Sequence, residues 1–226
     1  MKFFVLLICF LILFSSCATE RVIEEPFEVS LKSPRIPAGT IDAQFDRVFG
    51  GLRRENIEVS YFPREDAVCL EFRIDSMTYY QFWSSKGRET FILALEAYKE
   101  DYLQKAFNRS SRKTKRHYDT VKGFLIWQAF RFTIQASAEV NIDLGYFFKE
   151  NRPYFSVNQR EAYYLDPIAR SDNRRSNEIT MYFIRSQADE LAAIFNPEYL
   201  RGLTAVNIEG GNQGLFSTLD IIYDDY

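Results

Sequence analysis

His117 is the single histidine among 226 residues. Any Ser-His-Asp relay or His-ligated metal centre in this chain must therefore be built on it. It ends a basic run, Arg109-Ser110-Ser111-Arg112-Lys113-Thr114-Lys115-Arg116-His117. That setting reads as a charged, solvated connector, not the enclosed site a general base works in. Zinc would also lack thiolates, since the chain has 3 cysteines, widely spaced at 9, 17 and 69. Cys69 falls in Val68-Cys69-Leu70-Glu71-Phe72, an alternating segment with no base nearby, and is expected to be a small buried strand residue. No EF-hand spacing appears among the carboxylates. Asp220, Asp224 and Asp225 read as a solvated tail. Gly210-Gly211-Asn212-Gln213-Gly214 lacks the Lys of a phosphate-binding loop. Glu139 and Asp143 share the polar side of one strand pattern. They could serve a carboxylate-dependent hydrolase, and they equally suit solubilising residues. No cofactor and no metal is expected.

Two short motifs bear on serine chemistry. Ser110-Ser111-Arg112-Lys113 and Ser171-Asp172-Asn173 resemble the S-x-x-K and S-D-N motifs of penicillin-binding proteins and serine β-lactamases. That resemblance implies an acylated serine. Ser110, however, sits in a basic, non-amphipathic segment, and no K-T-G follows Ser171. The motifs are expected to carry no such activity.

The N-terminus says more about address than chemistry. Lys2 is the one charge before an unbroken apolar run from Phe3 to Phe14. As a helix this run would rise about 18 Å, short of the roughly 30 Å hydrocarbon core of a bilayer, and it fits a signal peptide. Phe14-Ser15-Ser16-Cys17 resembles the lipobox of bacterial lipoproteins, with Phe where Leu is usual. The resemblance implies diacylglycerol on the Cys17 sulfur, cleavage before Cys17 and acylation of the new amine. Several acyl chains hold a membrane firmly where one is marginal. Ala18, in place of the Asp tied to inner-membrane retention in some bacteria, leans by resemblance toward the outer membrane. The expected location is the bacterial cell envelope, lipid-anchored.

Composition narrows the partners. The net charge of −3 gives no footprint for nucleic acid. The basic residues Arg112, Lys113, Lys115 and Arg116 form a candidate contact with anionic lipid headgroups, although a solvated loop explains them as well. Tyr80, Phe82 and Trp83, in a cluster with Tyr79, form a candidate partner surface that core packing would also account for. The expected partners are the membrane through Cys17 and an unknown protein or amphipathic ligand.

The elements that must position these residues follow from periodicity. Ile57-Val59-Tyr61 and Val68-Leu70-Phe72-Ile74 alternate around Pro63-Arg64-Glu65-Asp66, a hairpin signal. Phe91, Leu95, Tyr98 and Tyr102 recur at helical spacing, predicting a helix over 86–107. Apolar residues at every second position from Phe130 to Leu144 predict a long strand, bent near Ala136-Ser137-Ala138. A strand over 121–128 is expected before it. Glu150-Asn151-Arg152-Pro153 predicts a turn, Tyr154–Tyr164 and Ile179–Ile184 further strands, and Ser186 the cap of a helix ended by Pro197. No repeat is evident. The expected organisation is a signal peptide over 1–16, a lipidated tether over 17–40 and one α+β domain over 41–226. In it a curved antiparallel sheet, hairpin plus meander, is packed by the long helix and a shorter C-terminal one; a half-open barrel is the alternative. An envelope binding or structural module without catalysis is the leading functional expectation, and a hydrolase of envelope polymers the second.

Overall fold

A computed structural model describes residues 29–46, 50–107, 115–129, 135–149, 151–164 and 174–207. The strands are β1 (Ile36–Asp46), β2 (Leu52–Phe62), β3 (Ala67–Ile74), β4 (Met77–Trp83), β5 (Lys115–Ala129), β6 (Gln135–Lys149), β7 (Arg152–Gln159), β8 (Ala162–Tyr164), β9 (Arg174–Ser176) and β10 (Ile179–Phe183). Helix α1 (Ser85–Leu103) follows β4, α2 (Arg185–Phe195) follows β10, and α3 occupies 197–207. Eight strands pair antiparallel in the order β1-β10-β7-β6-β5-β4-β3-β2, and β2 returns to β1. The α+β class and the curved antiparallel sheet hold, and the curvature runs on to ring closure, which leaves the sheet no free edge of full length. β8 and β9 form a separate two-stranded sheet.

The closing seam is narrow. β1 meets β10 through Gln44↔Tyr182 and Phe45↔Met181 alone. The rest of that side of β1 lies against the helices after β10. Ile194 packs close over Gly39, and the Tyr199 hydroxyl donates to the Ala38 carbonyl at 2.8 Å. A helix laid over an exposed strand edge blocks pairing with another chain.

Alternation sorts the side chains. Inward residues such as Ile57, Leu70, Phe72, Leu125, Leu144, Val157 and Met181 are buried in one continuous cluster. A polar pair sits among them: Gln81 donates to Gln159 at 3.0 Å, and the Trp83 indole N–H donates to Gln81 at 2.9 Å. The helices cap this core with aromatic rings. Phe91 of α1 lies 4.9 Å from Phe195 of α2, 5.3 Å from Phe155 and 5.8 Å from Trp83. Burying a Phe or Trp side chain contributes roughly 1.5–3 kcal/mol or more, so these rings fasten the helices to the sheet. Of the expected helical stripe, Phe91, Leu95 and Tyr98 are buried, whereas Tyr102 is 43% exposed.

A second apolar cluster lies on the outer face. Phe62, Ala67, Cys69, Phe82, Phe124 and Ile126 are buried there under Val29, with Leu31 and Tyr80 beside them. Residues 29–35 thus form a strap across β2–β5. Ser33 donates to Glu65 at 2.6 Å, and Arg35 reaches Glu71 at 3.4 Å. The folded unit therefore includes residues expected to be tether: Val29 is core, and β1 begins at Ile36. A strap of alternating residues around Pro34 reads as linker locally, and the apolar outer face gives Val29 a partner.

Several boundaries differ from the sequence pattern. The expected strand over 130–144 proves to be β6, which starts at Gln135, continues to Lys149 and keeps regular register through Ala136–Ala138; residues 130–134 lie outside the described residues. β5 extends back to Lys115, so Arg116 and His117 are strand residues, not connector. α1 ends at Leu103, where Lys105 adopts a positive φ of 53°. The cap of α2 is made by Gln187, whose carbonyl accepts from the Ile184 N–H at 3.0 Å, and not by Ser186. Pro197 both follows α2 and opens α3, as its fixed φ and absent N–H allow. Ser110, Ser111, Arg112, Lys113, Ser171–Asn173 and residues 208–226 lie outside the described residues, as does Cys17.

Candidate functional site

The strand bulge in β5 gathers polar side chains beside a cavity. Register runs Lys115↔Phe147, Arg116↔Tyr146, His117↔Gly145, then shifts to Asp119↔Leu144 and Thr120↔Asp143. Tyr118 is the extra residue. In a regular strand residues 117 and 120 would face opposite ways; across the bulge both face outward. Gly145 permits the arrangement, because a Cβ there would lie 2.1 Å from the Arg116 carbonyl oxygen.

A relay results. His117 Nε2 lies 2.8 Å from Thr120 Oγ1, and that hydroxyl donates to Asp143 Oδ1 at 2.6 Å. Since the hydroxyl proton is given to Asp143, Thr120 accepts from Nε2–H. Arg160 grips Asp143 with two bonds, 2.7 and 2.9 Å. Partial burial works against the Asp143 carboxylate, but the Arg160 and Thr120 hydrogen bonds and the Arg160 charge outweigh it and hold the pKa below the ordinary carboxylate value.

Beside the relay runs a groove of about 340 Å³ over the outer faces of β6, β7 and β10. Its floor is Gly145 and Ser156, adjacent in register, with Tyr182 next across the sheet. Ser156 is 9% exposed and its hydroxyl has no partner among the described residues. One wall is aromatic. Phe147 and Tyr182 lie 6.1 Å apart, with Lys149 Nζ 5.1 and 5.0 Å from their ring centres. Asp46 fixes this wall, accepting from Lys149 at 2.5 Å and from the Tyr182 hydroxyl at 2.8 Å. Burial, aided by Asp46, raises the Tyr182 pKa, so the phenol stays a neutral donor. The other wall is polar: Asn158 donates to Glu178 at 2.8 Å and accepts from Thr180 at 2.9 Å.

The carboxylates singled out in the sequence do not form a pair here. Glu139 and Asp143 are four residues apart on one strand, about 13 Å, beyond the roughly 5–9.5 Å of paired glycosidase carboxylates. Ser156 lies two strands from His117, about 10 Å between strand axes. It also sits in a strand paired on both sides, so the neighbouring backbone N–H groups are used by the ladder and supply no oxyanion hole.

Other candidates from sequence fall elsewhere. Phe82 and Trp83 are fully buried, on opposite faces of β4, and so form no partner surface: Trp83 enters the inner core, while Phe82 and the half-buried Tyr80 lie under the strap. Alternation separates neighbours that a linear cluster suggests are together. Arg116 is bound to Asp101 at 2.8 and 3.0 Å and stacked on Tyr118, so it is not an unpaired cation. Cys69 is buried and free; burial first, then the Glu71 charge, pushes its thiol pKa well up. Sequence reasoning placed Asp143 on the right face but missed Ser156, Asn158 and Tyr182, whose only local signal was ordinary strand alternation. Among the described residues no group of three or more His, Cys, Asp or Glu is arranged to hold a metal.

A model of the family described as "Uncharacterised Treponema protein" matches residues 28–202. The chain belongs to that family. The match begins one residue before Val29 and ends within α3, so strap, ring, α1 and α2 are all within the family unit. No curated protein and no solved structure matches the chain.

Proposed function

We propose that this family member is a non-enzymatic binding module of the bacterial cell envelope. Lipid on Cys17 holds it to a membrane, the outer membrane favoured by Ala18, and the groove over β6, β7 and β10 holds an amphipathic ligand. The observation that carries the reading is Ser156, a residue 9% exposed whose hydroxyl opens into the groove with no side-chain partner among the described residues, set at the foot of an aromatic wall. Ligand sites characteristically combine apolar lining with a few placed polar groups in cavities of about 300–1,000 Å³. β7 stands four places from β3, and β10 four from β4, in the eight-strand order, so groove and strap occupy opposite walls.

Two measurements test the reading. Cys17→Ser should abolish labelling by radioactive palmitate, and persistent labelling would defeat the anchor. For the groove, wild-type protein and Ser156→Trp are each incubated with envelope extract, and small molecules retained on each are identified by mass spectrometry. A species held by wild type and lost from the variant supports the groove. Identical profiles would defeat it.

A further inference from the structure

We infer that the rim formed by the C-terminal turn of α1, the start of α2 and the β6–β7 turn seats directly on an anionic lipid surface. The inference rests on the anchored reading, because the tether from Cys17 is what keeps this rim near a bilayer.

Three segments meet at the rim. The Tyr98 hydroxyl of α1 donates to the Pro153 carbonyl at 3.0 Å, beside the β6–β7 turn. Arg185, the first residue of α2, lies over the Tyr102 ring at 5.3 Å. The Phe107 ring is 5.9 Å from Tyr102 and 6.1 Å from Phe148. Large apolar side chains stand open here: Leu103 is 76% exposed, and Tyr102 and Ile184 are each 43% exposed. Lys105, Arg152 and Arg185 are exposed around them. The neighbouring acids are engaged elsewhere, Asp101 with Arg116 and Tyr118, Asp189 with Lys99, and Glu100 with the Gln104 amide. From Gln104 to His117 the chain carries six Lys or Arg and no Asp or Glu.

Apolar side chains bordered by cations suit a bilayer whose headgroups are anionic. Tyr102 is amphipathic and fits headgroup level, Leu103 and Ile184 reach the acyl boundary, and the long cationic side chains extend to phosphates. The tether's point of entry favours lipid as the occupant. β1 opens beside the end of β2 through Ile36↔Tyr61, and Arg88 of α1 holds the adjoining β2–β3 turn. The chain from Cys17 therefore joins the ring at its helix-capped end. Val29 follows Cys17 by twelve residues, a reach of about 40 Å at full extension. Tethering at that range gives rim and membrane a high effective concentration.

The test uses the full chain in vesicles of phosphatidylcholine alone and of a roughly seven-to-three mixture with phosphatidylglycerol, the phosphatidylcholine brominated in its acyl chains. The native Trp83 and Trp127 are 0% and 3% exposed, so bromolipid reports on a tryptophan added at the surface. Ala106→Trp marks the rim. Ser76→Trp, in the β3–β4 turn at the opposite end of the ring, is the control. Thermal melts confirm that each variant folds. Ala106→Trp emission should be lower by about twofold or more in anionic than in neutral vesicles, while Ser76→Trp emission stays unchanged. Adding Lys105→Gln, Arg152→Gln or Arg185→Gln should each weaken seating about fivefold, read as recovered emission. Equal Ala106→Trp emission in the two vesicle types, or equal quenching at both positions, overturns the inference. Flotation separates this from the anchor. A chain that floats with neutral vesicles but is unquenched at Ala106→Trp in anionic ones keeps the anchor and loses the rim contact. A chain that floats with anionic vesicles alone, quenched at Ala106→Trp, loses the anchor and keeps the rim contact.

Discussion

His117 and Thr120 are three residues apart in one strand, yet they meet on the same face, with Nε2 2.8 Å from Oγ1. The extra residue Tyr118 turns His117 outward, and its own hydroxyl is drawn to Asp101 on α1 at 2.8 Å. The bulge thus links the helix to the groove. Thr120→Val keeps the shape and removes the hydroxyl that joins His117 to Asp143. Two hydrogen bonds are lost at a half-buried site, each worth about 0.5–1.5 kcal/mol, so urea unfolding should show a loss of about 1–2 kcal/mol. A variant as stable as wild type would mean that the relay does not hold the bulge.

Acid should act through Asp143. Its folded pKa is held below the unfolded value of about 3.9. The sign follows: the native carboxylate binds protons less readily, so its contribution is complete above the unfolded value and is lost as pH falls through the folded one. The difference in melting temperature between wild type and Asp143→Asn should be constant from pH 7 to about 5, then shrink below about 4. A difference that grows on acidification would contradict the Arg160 and Thr120 bonds as its source.

Much of this fold was legible because alternation reports faces directly. Val68, Leu70 and Phe72 announce an inner face, and Asn151 at φ 64° occupies the tight turn that Glu150-Asn151-Arg152-Pro153 predicts. What alternation cannot report is where a phase changes. The bulge at Tyr118 moves His117 from an apparent connector into a site, and nothing local to Lys115–His117 signals it; the cause is Gly145, 28 residues away, which admits the Arg116 carbonyl. The strap was illegible for a related reason. Val29 is buried by an outer face that is apolar only over β2–β5, a property of register among strands and not of residues 18–40. Ring closure rests on Gln44↔Tyr182 and Phe45↔Met181, a contact between distant segments that no single window contains.

The strap should control access to Cys69. That thiol is 1% exposed beneath a cluster that includes Val29, itself 6% exposed, and burial holds it protonated. Only thiolate alkylates at a useful rate, so native protein at pH 8 should resist iodoacetamide and react once unfolded. Val29→Asp places a carboxylate against Phe62 and Phe82 and should detach the strap. A local opening eased by about 1.4 kcal/mol accelerates labelling tenfold. Labelling at the wild-type rate would show that Val29 does not cover this cluster.

Arg88 should prove a structural cation. Its side chain is 3% exposed, and it donates to the Asp66 carbonyl at 2.6 Å, the Asp66 carboxylate at 2.8 Å and the Trp83 carbonyl at 3.3 Å. It thereby ties the β2–β3 turn, where Asp66 has φ 46°, to the start of α1. Arg88→Ala should cost about 2–4 kcal/mol, from charged hydrogen bonds lost and acceptors left without partners. Arg88→Lys should recover less than half, because an ammonium cannot span the two sites the guanidinium fork bridges. Full recovery by Lys would make charge alone sufficient.

Two glycines should respond to the same substitution with opposite sign. At Gly145 a Cβ would meet the Arg116 carbonyl oxygen at 2.1 Å, and this is backbone within a paired strand, so relief requires β5 to move from β6. Gly145→Ala should destabilise by about 1–3 kcal/mol or more and, by opening the bulge, separate His117 from Thr120. At Gly202, within α3, a Cβ meets nothing within 4 Å. Alanine there removes unfolded-chain freedom and suits a helix, a gain of about 0.5–1 kcal/mol. Urea unfolding of both variants, with the His117 ring followed by proton NMR, separates strain from propensity. The ring resonances should shift in Gly145→Ala and stay fixed in Gly202→Ala. If Gly145→Ala is neutral and its ring unshifted, close approach of the strands at the bulge is not what the glycine serves, and His117 must be positioned by the Thr120 bond alone.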